Sequence, residues 1–140
     1  MLGQKNSVYL ITFVEHSSGC IVGWQLGKVR DEAVMQALVD TAPQAVWYYS
    51  DLWAGYWHVV YAPGTYTPMP DKSETFRVEG GNAELRRYLA RLARRSRCFS
   101  RCVKALQRAI RLFVFAWNRR QLYRRRFPRY PAHLRDFVCP

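Results

Sequence analysis

The distribution of apolar side chains predicts two short strands near the start of the chain. Residues 8–14 form a run of β-branched and aromatic side chains, and residues 20–26 form a second run of the same kind. Between the two runs stand Ser17, Ser18 and Gly19, residue types that favour tight turns. Two apolar strands joined by a short turn predict a β-hairpin.

Helical spacing follows the hairpin. Apolar residues recur every three to four positions between 31 and 39, with acidic residues in the first turn, where the helix dipole favours them. Pro43 ends this predicted helix, and the apolar run at 45–49 predicts a buried strand. Asp51 comes directly after that strand, and ligands of open α/β sheets bind outside the C-terminal strand ends.

The middle of the chain has a weaker pattern. Residues 52–71 are rich in aromatic side chains but are interrupted by glycines and prolines, which predicts a short helix followed by a loop. Residues 72–78 predict a further strand. This strand would deliver Glu79 to a helix that begins near Asn82, a residue type favoured as an N-cap.

A long basic helical region is predicted towards the C-terminus. Apolar residues form one stripe between 85 and 92 and continue at helical spacing between 103 and 117. Residues 82–118 contain neither glycine nor proline, so the pattern leaves open whether they form one helix or two. The element order predicts an α/β domain over residues 1–118, followed by a basic, irregular, Arg/Pro-rich tail over 119–140.

Length and composition limit the class of protein. The chain has 140 residues, of which 49% are hydrophobic and 23% charged, and this composition excludes wholesale disorder. No uninterrupted apolar run approaches the ~18 residues of a membrane helix, so we expect a cytoplasmic protein with no membrane partner. The four cysteines lack the paired spacing of zinc ribbons and are interpreted as free thiols.

The charge is unevenly distributed along the chain. Residues 1–81 contain five Lys/Arg and eight Asp/Glu, whereas residues 82–140 contain seventeen Lys/Arg and two Asp/Glu. An acidic part joined to a basic helical part is typical of chemistry on a polyanion, with metals on one side and phosphates on the other. The alternative is a solvated helix face with a basic tail.

Three separated carboxylates are candidates for a metal site. Glu15 ends the first predicted strand, Asp51 follows a later strand, and Glu79 precedes the long helix. Such acids can converge at a sheet edge and hold two Mg²⁺ ions for phosphodiester chemistry. Spacing alone favours solvated surface acids instead, because any chain with ten acidic residues contains such a triple.

Two local motifs favour the metal site. Residues 49–56 read YSDLWAGY, an aromatic–Ser/Thr–Asp–x–aromatic–x–x–Tyr pattern that resembles the segment around the second acid of insertion-sequence transposases. Residues 72–86, KSETFRVEGGNAELR, resemble the block around the third acid, and the likeness continues through residues 89–100. Over residues 8–117 the chain is therefore similar to a transposase of the insertion-sequence-one (IS-one) family.

The resemblance implies an RNase H-like fold, a mixed sheet with flanking helices, and a DDE-type triad that binds two Mg²⁺ or Mn²⁺ ions. The implied reaction nicks DNA at a transposon end, after which the freed 3′-hydroxyl attacks target DNA. By motif match, Asp51 is the second acid and Glu79 the third. Glu15 stands where the first aspartate is expected, and its extra methylene moves the carboxylate. Either Glu15 binds metal with altered geometry, or this copy is impaired.

The resemblance also implies partners. These are double-stranded DNA at the transposon ends and target, and a second copy of the chain in a homo-oligomer. The implied location is the bacterial nucleoid. Family members read the ends through a zinc-binding and helix-turn-helix region ahead of the catalytic part. No such module fits before the first strand, so we expect an upstream DNA-binding reading frame or fusion partner.

The basic helical region supplies the predicted DNA contacts. Its arginines outnumber the nearby acids, which favours contact with phosphates over simple solvation. The alternative function, from a different class, is a non-catalytic DNA-binding remnant or a regulator of transposition. The arginines predicted to contact DNA are Arg86, Arg87, Arg91, Arg94 and Arg95.

Overall fold

A computed structural model describes residues 8–71, 73, 75–89 and 102–127. The chain divides into two compact units. Of the described residues, the first unit contains those within 8–13 and 22–76, and the second unit contains those within 14–21 and 77–127. Helices and strands both occur, so the protein is of the mixed α/β class that the pattern predicts.

The predicted hairpin is confirmed. Strands β1 (Tyr9–Val14) and β2 (Ile21–Gly27) form a two-stranded sheet. The turn between them is closed by two backbone hydrogen bonds, from the Glu15 N–H to the Cys20 carbonyl at 2.8 Å and from the Gly19 N–H to the Glu15 carbonyl at 2.9 Å. Gly19 has a φ of +74°, a left-handed conformation that glycine adopts without steric cost.

The first predicted helix is also confirmed and organises the core of the first unit. Helix α1 spans Glu32–Thr41, and its N-cap Asp31 accepts the Val34 N–H through Oδ1 at 3.0 Å. This cap satisfies a backbone donor that the first helical turn leaves unpaired. The buried side chains that pack together around α1 are Ile11, Met35, Leu38, Val39 and Val59.

A parallel strand pair follows α1, and half of it contradicts the sequence prediction. Strand β3 (Trp47–Ser50) pairs with β4 (Thr65–Pro68), although β4 lies in the region predicted as a loop. Tyr66 of β4 stacks on Tyr61 with ring centroids 4.7 Å apart. This stacking, rather than an alternating pattern, supports β4, so periodicity did not reveal it. The predicted short helix is present as a single 3-10 turn, Ala54–Tyr56.

Strand β3 is less buried than predicted. Trp47 is 57% exposed, and the residues of β3 alternate between exposed and half-buried. A run of apolar residues predicts a strand that is covered on both faces, but a strand rich in aromatic residues with only one covered face produces the same sequence pattern. Tyr48 occupies the covered face and packs edge-on against Phe13 at 6.1 Å.

Helix α2 begins earlier than the sequence predicts. It spans Phe76–Tyr88, so the predicted strand at 72–78 is wrong at each of its described residues, and the helix does not begin near Asn82. The reason is a stripe at helical spacing: Val78, Gly81 and Leu85 lie three and four positions apart, and each is buried or half-buried. Tertiary burial of this stripe overrides the strand preference of the β-branched residues.

Helix α3 spans Val103–Arg126. Because α2 ends at Tyr88 and the N-cap Cys102 is extended, the described residues contain two helices in this region. The expectation of an irregular tail directly after residue 118 is wrong, since the helix continues to Arg126. Leu106 and Ile110 are buried, which anchors one face of α3 in the second unit. Within the described part of the chain, no helix is long and apolar enough to cross a membrane.

Candidate active site

Asp51 lies directly beyond the C-terminal end of β3. The preceding Ser50 carbonyl accepts the Met69 N–H at 2.9 Å, and its hydroxyl is 2.7 Å from the Tyr66 hydroxyl on β4. Asp51 is exposed, and its Oδ1 accepts the Trp53 N–H at 3.3 Å. The predicted position of this acid, outside the end of a strand, is confirmed, and the strand end itself is fixed by its parallel neighbour.

A cation and two aromatic rings support the segment that carries Asp51. The Arg30 guanidinium lies 3.9 Å from the centroid of the Trp53 ring and donates to the Tyr56 hydroxyl at 3.0 Å. Trp53 and Tyr56 pack edge-to-face at 5.2 Å, and burial raises the pKa of the Tyr56 hydroxyl. A Cβ atom at Gly55 would overlap the Trp53 indole. This arrangement therefore requires glycine at that position of the YSDLWAGY segment.

Sequence reasoning missed Arg30. It lies far from Asp51 along the chain, and the hairpin and α1 patterns on either side of it carry no signal of its role. The one available signal was chemical, because Arg30 is among the few basic residues of the acidic part and tryptophan is the best partner for a cation. Its contact with Trp53 links the start of α1 to the Asp51 segment within the first unit.

Glu15 lies in the turn of the hairpin and is exposed. The Ser17 hydroxyl donates to Oε1 at 2.7 Å, and the Ser18 hydroxyl donates to Oε2. Ser18 also accepts the Cys20 N–H at 3.1 Å. The hydrogen bonds from Ser18 and Ser17, with a smaller contribution from the charge of Arg125, lower the pKa of Glu15. The turn thus favours the ionised carboxylate, the form that binds a divalent cation.

Helix α3 holds this turn through two residues in its C-terminal half. The Asn118 side chain makes two hydrogen bonds to the backbone of Ile21, accepting its N–H at 2.7 Å and donating to its carbonyl at 2.8 Å. The Trp117 indole N–H donates to the Gly19 carbonyl at 3.0 Å. Asn118 lies one position beyond the periodic apolar pattern, which ends at residue 117, so its role was not predicted. These contacts make α3 a structural part of the unit that contains Glu15.

Glu79 lies in the first turn of α2 and is exposed. The start of α2 adjoins the end of the hairpin: a Cβ atom at Gly81 would lie 4.0 Å from Val14 Cγ2, and one at Gly19 would lie 3.3 Å from Arg77 Nη1. Two of the three predicted acids, Glu15 and Glu79, therefore belong to neighbouring elements of the second unit. The predicted order of a strand, then Glu79, then a helix is corrected, because Glu79 is itself helical.

The donor chemistry of the three acids fits Mg²⁺ or Mn²⁺, since all are carboxylates exposed to solvent. Asp51 belongs to the first unit, and Glu15 and Glu79 belong to the second. Among the residues that the structure describes, no three His, Cys, Asp or Glu side chains form a group that could hold a metal ion. The joint role of these acids as metal ligands stays a prediction.

Two of the five predicted DNA-contacting arginines lie in the described part of the chain. Arg86 and Arg87 occupy the last turn of α2 and are exposed. Arg87 Nη1 is 3.6 Å from the Glu84 carboxylate, and its guanidinium lies 5.7 Å from the Tyr88 ring centroid. Both are placed where a ligand could reach them. The other three, Arg91, Arg94 and Arg95, lie outside the described residues.

Comparison with known proteins supports the resemblance that the two motifs carry. The family model described as IS1 transposase matches residues 2–120, a range that includes Glu15, Asp51 and Glu79. No curated protein and no solved structure matches the chain. Because the family match covers well over half of the chain, the protein belongs to the IS1 transposase family, and its function is in DNA transposition.

Proposed function

We propose that this chain is the catalytic part of its transposase and performs metal-dependent cleavage and strand transfer at insertion-sequence ends. The observation that carries the proposal is the position of Asp51. It lies exposed beyond the end of a parallel strand pair, in the segment that resembles the family's second-acid motif. An RNase H-like arrangement of residues 1–118 is part of the proposal, and the mixed α/β character of the protein is compatible with it.

The proposed metal ligands are Asp51 and Glu79, with Glu15 as the third. Bound Mg²⁺ or Mn²⁺ would activate the attacking oxygen and stabilise the leaving oxygen of the phosphodiester. The protein's own contribution is to position these carboxylates. The Ser17 and Ser18 hydroxyls orient the Glu15 carboxylate and lower its pKa, and Glu79 is held in the first turn of α2.

The proposed substrate is double-stranded DNA, at the element's ends and at the target. Arg86 and Arg87, together with Arg91, Arg94 and Arg95, would contact its phosphates, because the chain beyond residue 81 is strongly basic. Recognition of the end sequence would come from an upstream DNA-binding frame or fusion partner, and the working form would be a homo-oligomer. The site of action would be the bacterial nucleoid.

The test measures metal-dependent nicking of transposon-end DNA by this chain joined to its upstream DNA-binding frame. We expect Asp51→Asn to lower the nicking rate by about a hundredfold or more, since it removes a charged ligand whose contribution is several kcal/mol. Asp40→Asn is the matched control, because Asp40 is an exposed aspartate on α1 in the same unit. Equal nicking by both variants would remove Asp51 from the metal site.

A second candidate function is a non-catalytic DNA-binding remnant or a regulator of transposition. The observation that favours it is Glu15, which stands in place of aspartate and has both carboxylate oxygens engaged by serine hydroxyls. In that case, DNA binding persists without metal-dependent cleavage, and Glu15→Asp restores some nicking. Nicking by the unmodified protein would exclude this candidate.

A further inference from the structure

Helix α3 carries an unusual concentration of positive charge. Its 24 residues include eight Lys or Arg and no Asp or Glu. One face is committed to the second unit through the buried Leu106 and Ile110. The cations on the opposite face are not required for that packing, so they are available to bind an anionic partner.

Seven residues, each three or four positions from the next, define one exposed line along α3, which we call the α3 stripe. Every member of the stripe is exposed. This spacing keeps side chains on a single helix face, and the stripe extends for about 33 Å at 1.5 Å per residue. The stripe consists of Lys104, Arg108, Arg111, Phe115, Arg119, Leu122 and Arg126.

Within the part of the chain that the structure describes, the five cations of the stripe are not neutralised by neighbouring carboxylates. None of them forms an ion pair with another residue in the described ranges, where the ion pairs involve other side chains. The Arg119 guanidinium lies 5.2 Å from the Phe115 ring centroid. That contact orients the guanidinium along the exposed face and leaves its charge available to an anion.

We propose that the α3 stripe binds the phosphate backbone of duplex DNA without reading its sequence. The cations extend over about one turn of B-DNA, ~34 Å, so they can contact phosphates of both strands along one side of the duplex. The inference rests on the proposed function in taking DNA as the substrate, but it does not depend on a metal ion. It assigns DNA binding to a surface separate from the arginines at the end of α2.

An anionic membrane is the other polyanion that a basic helix can bind. Helices that lie in a membrane interface separate their apolar and cationic faces. On α3, Phe115 and Leu122 instead lie among the cations of one line, and five of the seven positions are charged. The interleaving of charge and apolar area on a single face favours DNA.

The test compares two variants of the full chain with equal net charge, in a binding assay with labelled duplex DNA, EDTA and a series of KCl concentrations. We expect Arg108→Gln/Arg119→Gln to make the slope of log affinity against log salt less negative by about 1.8, equally for duplexes of unrelated sequence. The control Lys28→Gln/Arg124→Gln removes two exposed cations that lie off the stripe and should leave the slope unchanged. Equal slope changes in both variants, or none in the first, would overturn the proposal.

Further arms keep the result decisive. Arg108→Lys/Arg119→Lys should retain the slope of the unmodified protein, and Arg119→Gln alone, expected to change it by about 0.9, replaces the double variant if that fails to fold. If Arg108→Gln/Arg119→Gln lost binding to phosphatidylserine vesicles while its salt dependence of DNA binding was unchanged, the proposal would be contradicted in favour of a membrane surface. Binding is measured in EDTA, without the metal on which nicking depends, so a failure of the catalytic proposal is distinguishable from a failure of this one.

Discussion

The segment around Asp51 and the turn around Glu15 hold their carboxylates in different ways. At Asp51 the surrounding chain is fixed by β4, Trp53 and Arg30, while the carboxylate accepts one backbone N–H at 3.3 Å in the described part of the chain. At Glu15 both carboxylate oxygens accept serine hydroxyls. The first arrangement orders the backbone and leaves oxygen lone pairs for a ligand. The second orders the side chain itself.

The two acids also differ in how well they match the family pattern. Asp51 is the acid type that the resemblance implies at its position, whereas Glu15 replaces an expected aspartate. The Ser17 and Ser18 hydroxyls hold the longer Glu15 side chain against its own turn. Such hydrogen bonds can offset the change in carboxylate position that the extra methylene causes. If both acids act as proposed, we expect substitution at Asp51 to have the larger effect, and the position of the Glu15 carboxylate to depend on Ser17 and Ser18.

The largest expected effect on stability comes from removing the support of the Glu15 turn. Asn118→Ala leaves the N–H and carbonyl of the buried Ile21 without their partners, and we expect it to lower the free energy of unfolding by about 2–4 kcal/mol. Urea unfolding measures this change. Gln107→Ala, at an exposed position of the same helix, should change stability little. Equal midpoints for the two variants would show that Asn118 does not hold the turn.

The next effect tests the support of Asp51. Gly55→Ala introduces a Cβ atom into the space of the Trp53 ring and should cost about 1–3 kcal/mol of stability while displacing the Asp51 segment. Gly80→Ala is the matched control, since a Cβ there has nothing within 4 Å. In that exposed helical position alanine should stabilise by about 0.5–1 kcal/mol. Thermal unfolding that moves both variants in the same direction would contradict this account.

A smaller effect is expected from the cation beside Trp53. Arg30→Ala removes the guanidinium that packs on the ring, at a cost of about 0.5–1 kcal/mol, the usual size for an exposed cation–π pair. The nicking rate should also fall, and by a larger factor than so small a loss of stability would cause by itself. The reason is that Asp51 keeps its charge but loses a side chain that supports its position. Lys28→Ala, an exposed neighbour, should affect neither. Loss of stability without loss of nicking would separate Arg30 from the site.

The smallest effect is electrostatic and concerns Glu15. Its hydrogen bonds lower its pKa in the folded protein, so the stability that they contribute is present above the unfolded pKa and is lost as the pH falls through the folded pKa. In Ser18→Ala, carboxyl chemical shifts should show that the Glu15 pKa has moved up towards that of an ordinary glutamate. Ser17→Ala should shift it less, since Ser18 has the greater influence. An unchanged titration in both variants would show that the serines do not control this carboxylate.

Local signals made the hairpin and α1 predictable. Turn residues such as Gly19 and the N-cap Asp31 act on their immediate neighbours, so their effects are legible in a short window. Strand β4 was not predictable in this way, because its partner β3 and its stacking on Tyr61 come from outside the segment. The early start of α2 likewise depends on the burial of Leu85.

The same distinction between local signals and contacts from distant segments applies to the candidate site. The position of Asp51 after a strand followed from local pattern, and the motif resemblance named its role. Arg30 and Asn118 escaped prediction because each acts on a segment distant in sequence, through a ring contact in one case and backbone hydrogen bonds in the other. Such supporting residues become visible only once the fold brings the segments together.

The most direct test of the central claim is paramagnetic broadening by Mn²⁺ of the nuclear magnetic resonance signals of the protein bound to end DNA. The account predicts that signals at Asp51, Glu79 and Glu15 broaden together at low Mn²⁺ concentration, and that Asp51→Asn abolishes the broadening at all three. Broadening at Asp51 that leaves Glu79 unaffected, or broadening that survives Asp51→Asn, would contradict a shared metal site.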